Sequence, residues 1–101
     1  MAAQNVLRLL PWTGPDGKPC YLGTDGRESF MSLLADHIEA KQLETASELL
    51  EEAPQVLDAG TVDTERLSLF AAQLAGALQD VLRVATSRGG RLAASEQSGD
   101  E

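Results

Sequence analysis

Apolar residues recur at alternating three- and four-residue steps through Leu67, Phe70, Leu74, Ala77, Val81 and Val84. That spacing is the signature of a helix with one buried stripe. Asp63 or Thr64 is placed to cap it, so a helix is predicted over 64–88. Beside the main stripe runs a second row, Ala71, Ala75, Leu78, Leu82 and Ala85, which widens the apolar arc. Gly76 lies among small side chains, which points to close helix packing or a local bend. Gly89-Gly90, behind Arg83 and Arg88, reads as the stop of this helix, and 89–101 as a disordered acidic tail.

A second helical pattern precedes the first. Placed at 100° intervals, Met31, Leu34, Ala35, Ile38, Ala46, Leu49, Ala53 and Val56 share one side, with Leu43, Leu50 and Leu57 along its edge. His37, Lys41, Glu44, Glu48 and Glu51 take the opposite side. The predicted helix spans 27–57, capped by Thr24 or Asp25, with Pro54 closing or kinking its last turn. Its apolar arc covers about half the circumference, against roughly 100° for an ordinary surface helix. The connector, residues 58–63, is short enough to make the two helices antiparallel neighbours.

Upstream the period changes. Val6 to Trp12 and Cys20 to Leu22 are short β-compatible runs, separated by Thr13-Gly14-Pro15-Asp16-Gly17-Lys18-Pro19, a stretch dense in turn formers. Asp16-Gly17 supplies a position that tolerates positive φ, and Pro11, Pro15 and Pro19 bar a helix or a central strand. This predicts an irregular β-hairpin or extended arm over 1–26, with Trp12 and Tyr21 facing each other as its anchors. The expected fold is mainly α: one small domain over 1–88, an antiparallel two-helix hairpin with an N-terminal β-arm. Neither helix can bury its broad arc against a single mate, so the fold is expected to complete a four-helix bundle as a homodimer; the alternative source of that layer is the chain's own arm, with Val6, Leu7, Leu9, Leu10, Trp12 and Tyr21, within a monomer.

Composition supports that need for a partner. A chain of 101 residues with Cys20 as its lone cysteine has no internal disulfide, and no His, Cys and carboxylate cluster offers a metal site. No cofactor is expected. The scarcity of cysteine, and the lack of a basic leader with an apolar run or of a membrane-spanning run, point to a cytoplasmic protein. The net charge of −8 is unevenly spread: residues 1–27 carry +1, 28–58 carry −7, 59–88 are neutral and 89–101 carry −2. A field of that sign on the first helix repels phosphate and anionic membrane, and suits either plain solubility or a basic protein partner.

Candidate chemistry does not add up to an active site. Gly23-Thr24-Asp25-Gly26-Arg27-Glu28-Ser29 is too short for a phosphate loop and carries Arg27 and Glu28 where lysine and a hydroxyl belong. His37 has neither a ligand nor an acid at its i+3 and i+4 positions, Ala40 and Lys41. Cys20 has no histidine in local register, and Glu44, Glu48, Glu51 and Glu52 lie on a convex, solvated face. Arg83, Arg88 and Arg91 form too small a basic patch, beside too acidic a helix, to favour direct nucleic-acid binding.

In Pro11-Trp12-Thr13-Gly14-Pro15-Asp16-Gly17-Lys18-Pro19-Cys20-Tyr21-Leu22, and again in Asp80-Val81-Leu82-Arg83-Val84-Ala85-Thr86-Ser87-Arg88-Gly89, the chain resembles small uncharacterised helical proteins of actinobacteria. The resemblance implies a bacterial cytosolic protein and carries no activity with it. The expected function is therefore non-enzymatic: protein–protein interaction or regulation through a helical bundle. Leu43, Leu50, Leu67, Phe70, Leu74, Leu78, Val81 and Leu82 are the candidate dimer or partner interface. The alternative is an acidic inhibitor, antitoxin or immunity-type protein that masks a basic site with Glu44, Glu48 and Glu51.

Overall fold

The computed structural model describes residues 6–24, 30–58 and 63–99. In chain order these form β1 (Val6–Thr13), β2 (Pro19–Thr24), α1 (Phe30–Asp58) and α2 (Thr64–Gly99). Thr24 ends β2, while Asp25, the predicted helix start at 27–29 and residues 59–62 of the connector fall outside the described residues.

The hairpin closes through its turn chemistry. Gly14 N–H donates to the Lys18 carbonyl and Gly17 N–H to the Gly14 carbonyl, both at 2.9 Å. Asp16 Oδ1 accepts from Lys18 N–H at 3.1 Å. Gly17 sits at φ +81°, the left-handed conformation that Asp16-Gly17 was suited to supply. β1 and β2 are antiparallel, with Leu7 opposite Gly23, Arg8 opposite Leu22 and Leu9 opposite Tyr21. The register then slips, so that Leu10, Pro11 and Trp12 together face Cys20 before Thr13 meets Pro19. Pro11 has no N–H to give a ladder, and the slip accommodates it. The slip also lets Leu10 and Pro11, consecutive in sequence, both be buried. A regular strand would turn one of them outward.

Tyr21 stands opposite Leu9 rather than Trp12, and 57% of it is exposed. Trp12 is half-buried. The arm is anchored instead by Leu10, Pro11 and the buried Arg8.

α1 and α2 pack antiparallel in a molecule 63 Å long and 30 by 19 Å across. α2 begins as predicted: Asp63 Oδ1 accepts from Glu65 N–H at 3.2 Å, and the Asp63 carbonyl accepts from Leu67 N–H at 3.0 Å. α1 continues through Pro54 to Asp58, with Pro54 on the exposed side where a missing donor is tolerated. α2 does not stop at Gly89-Gly90 but runs on to Gly99, through most of what the sequence pattern marks as tail. Side-chain ties span the glycine pair: Arg91 Nη1 donates to Ser87 Oγ at 2.7 Å, one turn back. Gly76 is not a close-approach position, because a Cβ built there meets nothing within 4 Å.

The apolar core lies towards the connector end, where Leu49, Val56 and Phe70 are buried with Ala53, Leu74 and Ala77 packed around them. At the other end Leu10 of β1, Ala35 of α1 and Val84 of α2 are buried. At about 1.5–3 kcal/mol for each large apolar side chain removed from water, this is a thin core. Among the described residues no helix is long and apolar enough to cross a membrane.

Candidate functional site

Two features stand out on this scaffold, and they occupy successive levels along the helix pair. The first is an apolar groove of about 440 Å3 between α1 and α2. Leu43, Ala46, Ser47 and Leu50 form one wall; Leu74, Ala77, Leu78 and Val81 form the other. No charged residue lines it. Leu50 and Leu78 rise from opposite walls, 69% and 60% exposed. The sequence places these residues because the Leu43–Ala46–Leu50 and Leu74–Leu78–Val81 rows continue each helix's buried stripe onto its flank.

Of the candidate interface residues, Leu43, Leu50, Leu74, Leu78 and Val81 therefore come together in one groove. Leu67 and Leu82 are exposed on α2, on the helix row that passes through Leu78 and Ala71. Phe70 is different: it is 6% exposed and belongs to the chain's own core, so it is not available to a partner. Glu44, Glu48 and Glu51 are all exposed on α1, and Lys41 Nζ lies 3.3 Å from Glu44 Oε1 in a surface ion pair. His37 is exposed, and among the described residues no group of His, Cys, Asp or Glu is placed to hold a metal ion.

The second feature is a buried charge cluster where β1 crosses the helices. Glu39 of α1 has a side chain only 1% exposed, and Arg8 Nη2 lies 3.3 Å from its Oε2. Two more guanidinium groups approach its Oε1 from α2, Arg88 at 3.6 Å and Arg91 at 3.9 Å. Arg8 is held through its two terminal nitrogens: Nη2 donates to Asp36 Oδ1 at 2.6 Å, and Nη1 to the Ser32 carbonyl at 3.1 Å and its Oγ at 2.8 Å, while its Nε is buried without a hydrogen bond. Around this centre, Gln42 Nε2 donates to the Pro11 carbonyl at 2.9 Å and Ser87 Oγ to the Leu9 carbonyl at 2.9 Å. The register slip in β1 interrupts the ladder beside Leu9 and Pro11, and these two carbonyls are met by helix side chains.

The sequence pattern does not single out Glu39, Arg8 or Ser87 as a unit, although each leaves a trace. Glu39 lies four residues after Ala35 and four before Leu43, a carboxylate inside an apolar row. Arg8 interrupts the apolar run Val6 to Leu10. Arg88 and Arg91, weighed above as a basic patch, turn towards this carboxylate, while Arg83 Nη1 pairs with Asp80 Oδ1 at 3.2 Å. Part of the acidity of α1 is thus met by the chain's own arginines. No protein-family model, curated protein or solved structure matches the chain.

Proposed function

We propose that this is a non-enzymatic interaction or regulatory protein of the bacterial cytosol that acts through the open face of its helical hairpin, and that the first occupant of this face is a second copy. Two hairpins then close a four-helix bundle. One observation carries the reading: no charged residue lines the apolar groove, and exposed Leu57 on α1 and exposed Leu67 and Leu82 on α2 fall on the helix rows that run through its walls.

The size of the face fits a stable pair. From Leu67 to Ala85 an α-helix rises about 27 Å, and two helices side by side are about 20 Å wide, giving roughly 500 Å2 of projected face per copy. An apolar patch approaching that size lies at the upper end of what monomeric proteins leave in water, and such patches mark interaction sites. Two such faces together reach the ~1,000 Å2 that a specific interface requires. The arm does not line the groove: β1 is bonded to Ser32, Asp36 and Gln42 of α1 and to Ser87 of α2, none of which belongs to its walls.

Charge permits self-association in spite of the net −8. Glu44, Glu48 and Glu51 lie about 90–150° around α1 from the centre of the groove wall, so two copies meet through uncharged surfaces and keep their acidic sides apart. Sedimentation velocity of the full chain at micromolar concentration tests the reading. The expected species is a dimer, with Leu50→Glu and Leu78→Glu both giving folded monomers. A wild-type chain that sediments as a folded monomer overturns it.

A further inference from the structure

We infer that the chain is built in two tiers, with the β-hairpin acting as a releasable strap whose docking through Glu39 also holds α2 in helical form across Gly89-Gly90. The inference does not depend on what occupies the groove.

The two ends of the molecule are joined by different forces. At the connector end the helices meet through Leu49, Val56 and Phe70, which need nothing from the hairpin. At the other end the strap is tied chiefly by polar groups: Arg8 to Ser32, Asp36 and Glu39, Gln42 to the Pro11 carbonyl, and Ser87 to the Leu9 carbonyl. Removing one member of a buried ion pair leaves the other charge uncompensated, and this cluster has little margin, because Arg8 Nε and both Glu39 carboxylate oxygens are buried without a hydrogen bond; the attachment is therefore weakened as a unit when one member goes. The apolar share of the docking comes from buried Leu10 and Pro11, with Leu9, Trp12 and Leu22 half-buried.

The same cluster secures the far part of α2. Gly89 and Gly90 are adjacent, exposed, and would meet nothing within 4 Å if given a Cβ, so they contribute no packing to offset their poor helix propensity. Arg88 and Arg91 bracket them, both reach Glu39, and Arg91 is also bonded to Ser87, whose hydroxyl holds β1. Undocking the strap removes the Leu9 carbonyl from Ser87 and Arg8 from Glu39 together. The fold thereby contains a device that couples arm position to helix continuity past residue 88.

Trp12 is the only tryptophan and lies in β1, so its fluorescence reports the strap while far-UV circular dichroism reports the helices. A urea titration of the full chain at one fixed concentration is expected to show the Trp12 transition at lower urea than the helical transition. In Glu39→Gln the Trp12 transition moves further down, and amide exchange over 6–24 and 88–92 speeds up by about tenfold or more while 46–56 and 70–81 keep their protection. Ser87→Ala, which removes the hydroxyl shared by Leu9 and Arg91, is expected to act in the same segments to a smaller extent. Coincident transitions in the wild type overturn the inference. So does a Glu39→Gln chain that loses protection uniformly, fails to fold, or is unchanged.

Discussion

Arg8 and Glu39 meet 3.3 Å apart with side chains 6% and 1% exposed, one from a strand and the other from a helix 31 positions later. This pair does more than add an attraction between elements. Each charge has lost its water, so Arg8 relies on Glu39 and Asp36, and Glu39 on Arg8, Arg88 and Arg91, to offset the cost of burial. The cluster gives the hairpin one register on the helices, because sliding β1 by a residue would turn Arg8 to the opposite face of the strand.

Removing one member of this pair is therefore worse than removing both. Arg8→Met leaves Glu39 buried with only the two longer contacts to Arg88 and Arg91, and is expected to weaken hairpin docking by about 3 kcal/mol. Arg8→Met combined with Glu39→Met replaces the pair by apolar side chains of similar length and is expected to recover most of that loss. Urea unfolding followed by Trp12 fluorescence measures both. A double variant weaker than the single one would show that the ion pair itself, rather than the penalty of an orphaned charge, carries the docking.

The glycines divide by conformation. Gly76, Gly89 and Gly90 are helical and have open space where a Cβ would go, so replacement of any one by alanine is expected to raise stability by about 0.5–1 kcal/mol. Gly17 also has open space, but its φ of +81° opposes any side chain, and Gly17→Ala is expected to cost about 1 kcal/mol. Thermal unfolding by circular dichroism reads all four. Gly89→Ala and Gly90→Ala also extend amide protection beyond residue 88 if helix propensity is the weak point there.

These outcomes show where sequence patterning succeeds and where it stops. The stripes through Leu49 and Val56 and through Phe70 and Leu74 locate the core, because periodicity at 3.6 residues depends only on which face is dry. The hairpin and its Gly17 turn are legible for a similarly local reason: a positive φ is a property of one residue. Glu39 is not legible in this way. A carboxylate in an apolar row is stable only if cations arrive from elsewhere, and here they come from positions 8, 88 and 91, a relation no local window contains. Helix continuity through Gly89-Gly90 is hidden for the same reason, since the ties that offset two glycines come from β1 and α1. The groove is half legible: its rows are visible as a widened arc, but only the fold shows that the arm covers the next level along and leaves this one open.

Core and groove leucines should separate cleanly under truncation. Phe70→Ala empties a buried site between Leu49 and Val56 and is expected to cost about 3–5 kcal/mol. Leu82→Ala, on an exposed row of α2, is expected to change the stability of a monomeric Leu50→Glu background by less than about 0.5 kcal/mol. In the wild-type background the same Leu82→Ala weakens association. Chemical denaturation in the two backgrounds distinguishes a residue that packs within the chain from one that packs between chains.

Charge reversal on α1 gives the sharpest contrast between self-association and capture of a basic partner. Glu44, Glu48 and Glu51 are exposed, and among the described residues only Glu44 of the three is ion-paired, with Lys41 at 3.3 Å. A solvated pair of this kind contributes about 0.5 kcal/mol or less, so changing all three residues to lysine is expected to leave folding nearly intact. The substitution also moves the chain from −8 to −2, since each reversal adds two units of charge. If copies meet through the uncharged groove, the lower mutual repulsion strengthens the dimer slightly, and raising salt has the same mild effect on the wild type. If the acidic face is instead the binding surface for a basic partner, reversal abolishes capture of a basic protein, salt weakens that capture, and the chain by itself sediments as a monomer in both forms. Sedimentation of the wild type and the triple variant at low and high salt decides between these signs.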